Sequence, residues 1–252
     1  MCYDISAKLE SQLRIAYIKN DMALYEKIKR ALEELDVQDL HHASGFTHPH
    51  LVIYRNDNPS EPYLAQWGLI PSWTKSEDDA KKFWNNTLNA RIETIFEKAS
   101  FREPAKAQRC ILQIDGFFEH KHVRGNTYPH FITNKIDEPL SLAGLWSEWT
   151  NPETREVIAT FTIVTTKANE LMGEIHNNPK LKEGRMPVII NGFEDEWLNI
   201  SKQEELIEFA SNIAQETELQ AHTVQKLRGK DAICNVEEAT KEYIYDELNT
   251  LF

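Results

Sequence analysis

The strongest constraint on the fold is a change of texture near His50. From there to about Ile190 the chain breaks into short runs rich in β-branched and aromatic residues. They are LVIY at 51–54, YLAQWGL at 63–69, RCILQIDGFFEH at 109–120, YPHFIT at 128–133, LSLAGLWSEW at 140–149, ATFTIVTT at 159–166 and PVII at 187–190. Turn formers such as Arg55-Asn56-Asp57-Asn58-Pro59 and Arg124-Gly125-Asn126 separate them, so each run predicts a strand. LQAHTVQ at 219–225 predicts one more. Upstream, an extended start at Cys2–Ser6 leads into helical periodicity from Ala7 to Leu35. Leu9, Leu13, Ala16, Leu24, Ile28 and Leu32 recur at steps of three or four, with a break at Asn20-Asp21. Further helices are expected near Ala80–Phe83, over Ile92–Ala99 and from about Glu194 to Gln215. With no repeat, low-complexity tract or linker, the sequence reads as one α+β domain over 1–252, carrying a helical insertion at about 7–36.

Charge and cysteine usage limit the function classes. The net charge of −12 argues against a protein that coats nucleic acid with its whole surface, because phosphate binding needs clustered Lys and Arg. It does not forbid a local basic cleft. Three widely spaced cysteines, Cys2, Cys110 and Cys234, do not form a disulfide framework and suit a reducing compartment. No run is long and apolar enough to span a bilayer and the start lacks a signal pattern, so a cytoplasmic protein is expected.

Several residues are equipped for chemistry. Cys2 directly follows Met1, and removal of Met1 by a methionine aminopeptidase would leave an α-amine and a thiol on one residue. Both are useful nucleophiles near neutral pH, with ordinary pKa values of roughly 8. Together they convert an aldehyde first into a Schiff base and then into a thiazolidine ring. Otherwise Cys2 is a small apolar residue opening a strand. Glu119, in IDGFFEH, shares a strand face with Phe117, and aromatic burial would suit its carboxyl to proton transfer; otherwise it reaches solvent at a strand end. His176, in GEIHNNP, is a proton-exchanging group or an ordinary loop histidine. In NARIET, Asn89 can orient a nucleophile and Arg91 can hold an anion, or Asn89 caps a helix with Glu93 in its first turn. In WGLIPSW, Trp67 is expected in the core and Trp73 is a candidate for stacking on a base. His41, His42, His48 and His50 invite a zinc hypothesis, but no Cys-x-x-Cys or His-Glu-x-x-His spacing accompanies them, and no Gly-rich phosphate loop is present. No metal or cofactor is assigned.

The order of these blocks is specific. Met-Cys, WGLIPSW, NARIET, DGFFE, AGLW, IVTT-x-AN with Ile-His ten residues on, and RMPVII together resemble the SRAP (SOS response-associated peptidase) family, over most of 1–6 and 50–190. The resemblance implies a curved, barrel-like, mainly antiparallel β core with peripheral helices. It implies recognition of abasic sites in single-stranded DNA and a covalent cross-link through Cys2, in the cytoplasm and on the nucleoid after damage. Asn89 would then position Cys2 and the sugar, while Glu119 and His176 would move protons at the aldehyde. Arg91 and Thr165 match phosphate-binding positions, and Trp73 matches an aromatic wedge. The competing readings are a cysteine peptidase using Cys2 and His176 with Asn89, and a non-catalytic module that binds a basic protein. Three departures stand out. The family's Cys-Gly-Arg start is here Cys2-Tyr3-Asp4, whose acid is expected to repel phosphate. HASGFTHPH replaces an Asn-x-x-Pro-like stretch, and NNPKLKEG is inserted between His176 and Arg185.

Overall fold

The computed structural model describes residues 2–18 and 20–249. Its elements, in chain order, begin with β1 (Asp4–Ala7), α1 (Leu9–Ile18), α2 (Met22–Glu34), β2 (Leu40–Ser44), β3 (His50–Arg55) and β4 (Asn58–Trp67). Next come α3 (Glu77–Trp84), β5 (Asn89–Arg91), α4 (Arg102–Ala107), β6 (Arg109–Ile114), β7 (Gly116–Val123), β8 (Asn126–Asn134), β9 (Leu140–Thr150) and β10 (Val157–Lys167). The chain continues through α5 (Glu170–Ile175), β11 (Arg185–Pro187), α6 (Glu194–Asn199), α7 (Gln203–Glu216), β12 (Leu219–Thr223) and α8 (Asp246–Asn249).

Five strands close on themselves. β4 pairs with β3, β3 with β6, β6 with β9 and β9 with β10, all antiparallel, and β10 returns to β4 in parallel through Thr160↔Gln66 and Phe161↔Trp67. Closure leaves no free edge between these strands. β5 and β11 attach to β10, and a second sheet runs β12-β8-β7-β1-β2. Strand alternation divides the apolar residues into two sets. Leu51, Ile53, Trp67, Leu112, Leu142 and Phe161 pack in one cluster with Ile5, Phe117 and Cys2. Val52, Tyr54, Ile111, Ala143, Leu145 and Val164 pack in another with Ile28, Leu32, Trp197, Leu206 and Ala210 of the helices. Each fully buried aliphatic or Phe side chain of this kind stabilises the fold by about 1.5–3 kcal/mol.

Local chemistry sets the corners. The expected break at Asn20-Asp21 separates α1 from α2: Asn20 has φ 52°, and the Asp21 carboxylate accepts from the Leu24 N–H at 2.9 Å. The single run RCILQIDGFFEH is two strands in different sheets. At the joint, the Asp115 N–H donates to the Ser6 carbonyl, and a Cβ on Gly116 would lie 2.5 Å from the Ile132 carbonyl oxygen. Only glycine lets β7 approach β8 this closely.

Two expectations are corrected and one strand is added. Ile92–Ala99 is not a helix: after β5 pairs in parallel with β10, only a 3₁₀ turn at Ile92–Thr94 follows, and Ile92 and Ile95 are buried by the turn. The helix expected over 194–215 is α6 and α7, separated at Ile200, whose extended backbone (ψ 122°) ends the first. β2, which the polar sequence LHHAS does not announce, pairs with β1. Among the described residues no helix is long and apolar enough to cross a membrane.

Candidate functional site

Four of the sequence-selected residues converge where β1, β5, β7 and the segment after α5 meet. β1 lies antiparallel to β7 with Asp4 opposite Phe118, so the residues before Asp4 run alongside Glu119. Asn89 opens β5, held at its register against Ile163 of β10. It caps no helix; its Nδ2 donates to the Cys2 carbonyl at 2.8 Å. The other end of the same amide, Oδ1, is buried with no hydrogen-bond partner among the described residues. A buried acceptor left without a donor is costly, and here it sits beside the residue proposed to react.

Glu119 and His176 form the opposite side. Glu119 Oε1 accepts from the His120 N–H at 2.9 Å, and Oε2 lies 3.8 Å from His176 Nδ1. That ring nitrogen is also 2.9 Å from both the N–H and the carbonyl oxygen of Arg185. It accepts from the N–H when unprotonated and donates to the carbonyl when protonated, so the ring stays in place in either state. Burial holds the imidazole below its ordinary pKa, against the raising effect of the Glu119 charge. Cys2 is 1% exposed, and burial drives its thiol strongly upward, with Glu119 adding to the shift.

A cleft of about 440 Å³ opens onto Glu119 and His176. Tyr3, His120, His122, Lys226 and Arg228 line it, and Asn178 and Leu181 of the inserted NNPKLKEG stretch form part of its wall. Asn177 ties that stretch down by hydrogen bonds in both directions with the backbone of His122. Glu119 is the sole carboxylate among the described lining residues. A chain of net charge −12 thus brings two cationic side chains, Lys226 and Arg228, to one cleft.

The remaining candidates are dispersed. Arg91 is exposed on β5, close enough for its charge to act on the Tyr3 phenol. Trp73 is 52% exposed, edge-on to Phe83 at 5.4 Å, and is not among the cleft-lining residues; Trp67 is fully buried, its indole N–H on the Leu88 carbonyl. Thr165 is fully buried, and its hydroxyl lies against the Ala90 carbonyl and the Arg185 guanidinium. Direct phosphate contact at Thr165 is closed in this structure. Arg185 itself is buried and forked onto Glu93 at 2.7 and 2.9 Å, which ties the NARIET segment to the strand after His176.

The histidines do separate jobs: His42 meets Asp4, while His48 holds the Trp67 carbonyl and stacks near Trp84. No group of three or more His, Cys, Asp or Glu suited to a metal occurs among the described residues. Sequence reasoning missed Tyr3, His120, His122, Lys226 and Arg228. Alternation assigns His120 and His122 to the Phe118 face, opposite Glu119, so the pattern did not mark them, and Lys226 and Arg228 carry no local signal.

A closed barrel beside a second sheet, with the carbonyl of a buried N-proximal cysteine held by an asparagine amide and a Glu–His pair lining a nearby cleft, defines a class of α+β barrel proteins. The chain belongs to the SOS response associated peptidase (SRAP) family, whose sequence pattern matches residues 13–230. Among its relatives, the abasic site processing protein YoqW of Bacillus subtilis is 43% identical over 151 residues, 59% of this chain and 62% of that one. The abasic site processing protein HMCES of Gallus gallus is 35% identical over 190 residues, 64% of this chain and 54% of that one. The chain thus spans less than two thirds of the length of these curated relatives. A crystal structure of a Bacteroides thetaiotaomicron protein superposes with a TM-score of 0.80 at 31% identity, covering 96% of this chain and 100% of that one.

Proposed function

We propose that this protein recognises abasic sites in single-stranded DNA and links to them covalently through Cys2 once Met1 has been removed. The observation that carries the reading is the Asn89 amide: one end holds the Cys2 carbonyl and the other is a buried, partnerless acceptor. Removal of Met1 would add free N–H donors on Cys2, the residue that this amide already holds. The relatives' names, abasic site processing proteins, supply the aldehyde.

The chemistry divides among the four residues. An abasic sugar is a cyclic hemiacetal; opening it moves the proton of the 1′-hydroxyl to a base and delivers a proton to O4′. Glu119 would carry both transfers in this reading, with His176, 3.8 Å from it, as the second proton carrier. The Cys2 amine attacks the aldehyde, the N–C bond forms and water leaves, giving a Schiff base. The thiol then adds across C=N: the S–C bond forms, the thiol proton passes to nitrogen, and the ring closes with one water lost overall. Burial keeps the Cys2 thiol protonated, so the amine reacts first and sulfur follows. A cysteine peptidase needs the opposite, a thiolate held by its histidine, whereas burial here disfavours the Cys2 thiolate.

The test is a denaturing gel of processed protein with single-stranded DNA carrying one abasic site. A shifted band is expected for wild type and none for Cys2→Ala or for protein with an N-terminal extension. A band that persists with Cys2→Ala, or no band with fully processed wild type, overturns the reading.

A further inference from the structure

The sequence predicts that Asp4, standing where the family carries an arginine, repels phosphate. The geometry points to a different arrangement. Asp4 is 2% exposed and is held from two sides: His42 Nε2 lies 3.0 Å from Oδ1, and the Arg228 guanidinium donates to Oδ2. Burial alone would raise the Asp4 carboxyl, but the His42 hydrogen bond and the Arg228 charge outweigh it and hold it below its usual value. The acid is therefore buried behind its two partners and is not presented to the cleft. Arg228, by contrast, keeps 52% of its side chain exposed and lines the cleft together with Lys226.

The segment that delivers Arg228 is fixed. Leu227 packs with Phe118 and Phe131, and the Ile233 N–H closes onto the Lys226 carbonyl. Asn235 accepts from the backbone N–H groups of both His41 and His42, which ties the segment to β2. The guanidinium also lies 5.9 Å over the Phe46 ring, which limits its swing.

We propose that Arg228, aimed by Asp4, is the principal phosphate-gripping residue of the cleft, with Lys226 as a second cation. The charge missing from the start of the chain is supplied from its other end. Asp4 is a positioning residue: it acts through Arg228. The ligand chemistry is a phosphodiester, and the inference rests on the reading of single-stranded DNA as the partner.

The experiment measures non-covalent binding of an undamaged single-stranded oligonucleotide by anisotropy, in a Cys2→Ala background, from about 50 to 200 mM salt. Asp4→Asn combined with Arg228→Ala removes the cation without stranding a buried carboxylate. Its plot of log affinity against log salt should be shallower by about 0.7, the loss of one single-strand phosphate contact. Asp4→Asn alone should keep the slope and weaken binding severalfold. An unchanged slope in the double variant, or tighter binding by Asp4→Asn, overturns the proposal; the latter would mean that Asp4 does repel phosphate. If the double variant melts early, Arg228→Lys is the second check: it keeps the charge, so slope is retained while affinity falls severalfold. The cross-linking gel separates the two readings. Cross-linking with an Arg228-independent slope removes this inference alone, whereas an Arg228-dependent slope without cross-linking removes the proposed chemistry alone.

Discussion

β6 and β7 are consecutive in one β-like run of the sequence, yet they live in different environments. Every residue of β6 is buried, whereas β7 is buried only through Phe118 and half-open from Glu119 onward. In β6 the polar side chains are absorbed by the fold. Arg109 donates to the carbonyls of Ala105, Leu198 and Ile200 at helix ends, and Gln113 accepts from Ser141. In β7 the polar side chains face a cleft. The barrel strand turns its polar side chains into the fold, with only Arg109 Nε left without a partner among the described residues, and the strand that leaves it opens Glu119, His120 and His122 onto the cleft. The candidate site sits where burial of the same run ends, and Asp115-Gly116 is the point of transfer.

The most severe way to break this contrast is Gly116→Ala. Its methyl would meet backbone, the Ile132 carbonyl at 2.5 Å, as well as the Phe131 ring at 2.7 Å. Overpacking of this kind typically costs 1–3 kcal/mol, and a backbone obstacle puts it at the upper end, about 3 kcal/mol. Urea unfolding should show a lower midpoint; an unchanged midpoint would mean that β7 does not depend on this approach. Next is Glu119→Gln, which keeps shape and removes the proton carrier. Cross-linking should slow by about a hundredfold or more, the usual loss for general acid–base groups, while the unfolding midpoint stays close to wild type. Equal losses in rate and stability would make Glu119 a structural residue like those of β6. Smaller again is Trp73→Ala. An exposed indole off the core should change stability by no more than about 0.5 kcal/mol. If it stacks on a base, single-strand affinity should drop by about 1 kcal/mol, close to fivefold. Unaltered affinity would remove Trp73 from the interface.

Legibility in the sequence followed the same divide. The barrel strands were readable because alternation between two buried faces leaves a strong pattern, as in LVIY and ATFTIVTT. The joint at Gly116 was not, since one β-like run does not say which sheet takes each half. Ile92, Ile95, Phe96 and Ala99 carry helical spacing, but β5 pairing with β10 dictates the path and leaves only a turn. In the site, Cys2, Asn89, Glu119 and His176 were legible by type and order. Arg228 was not, because its partner Asp4 is 224 positions away and no local pattern encodes such a contact.

The gentlest probe of the two halves is acid. β6 holds no group that titrates between about pH 5 and 7, whereas His120 on β7 and His130 on β8 are both held below their ordinary pKa, chiefly by burial. In His130 the nearby charges of Lys121, His120 and His222 add to the effect, against the Tyr128 carbonyl 2.9 Å from Nδ1. A lowered folded pKa means that the unfolded chain takes up the proton first. Stability is therefore intact above the unfolded value of about 6.5 and declines as the pH falls from there toward the lower folded value. Urea midpoints taken between pH 7.5 and pH 5, roughly the histidine range, should fall for wild type and fall less for His130→Gln. Two parallel curves would show that His130 titrates alike in both states, and the open half would then be no more sensitive to protons than the closed one.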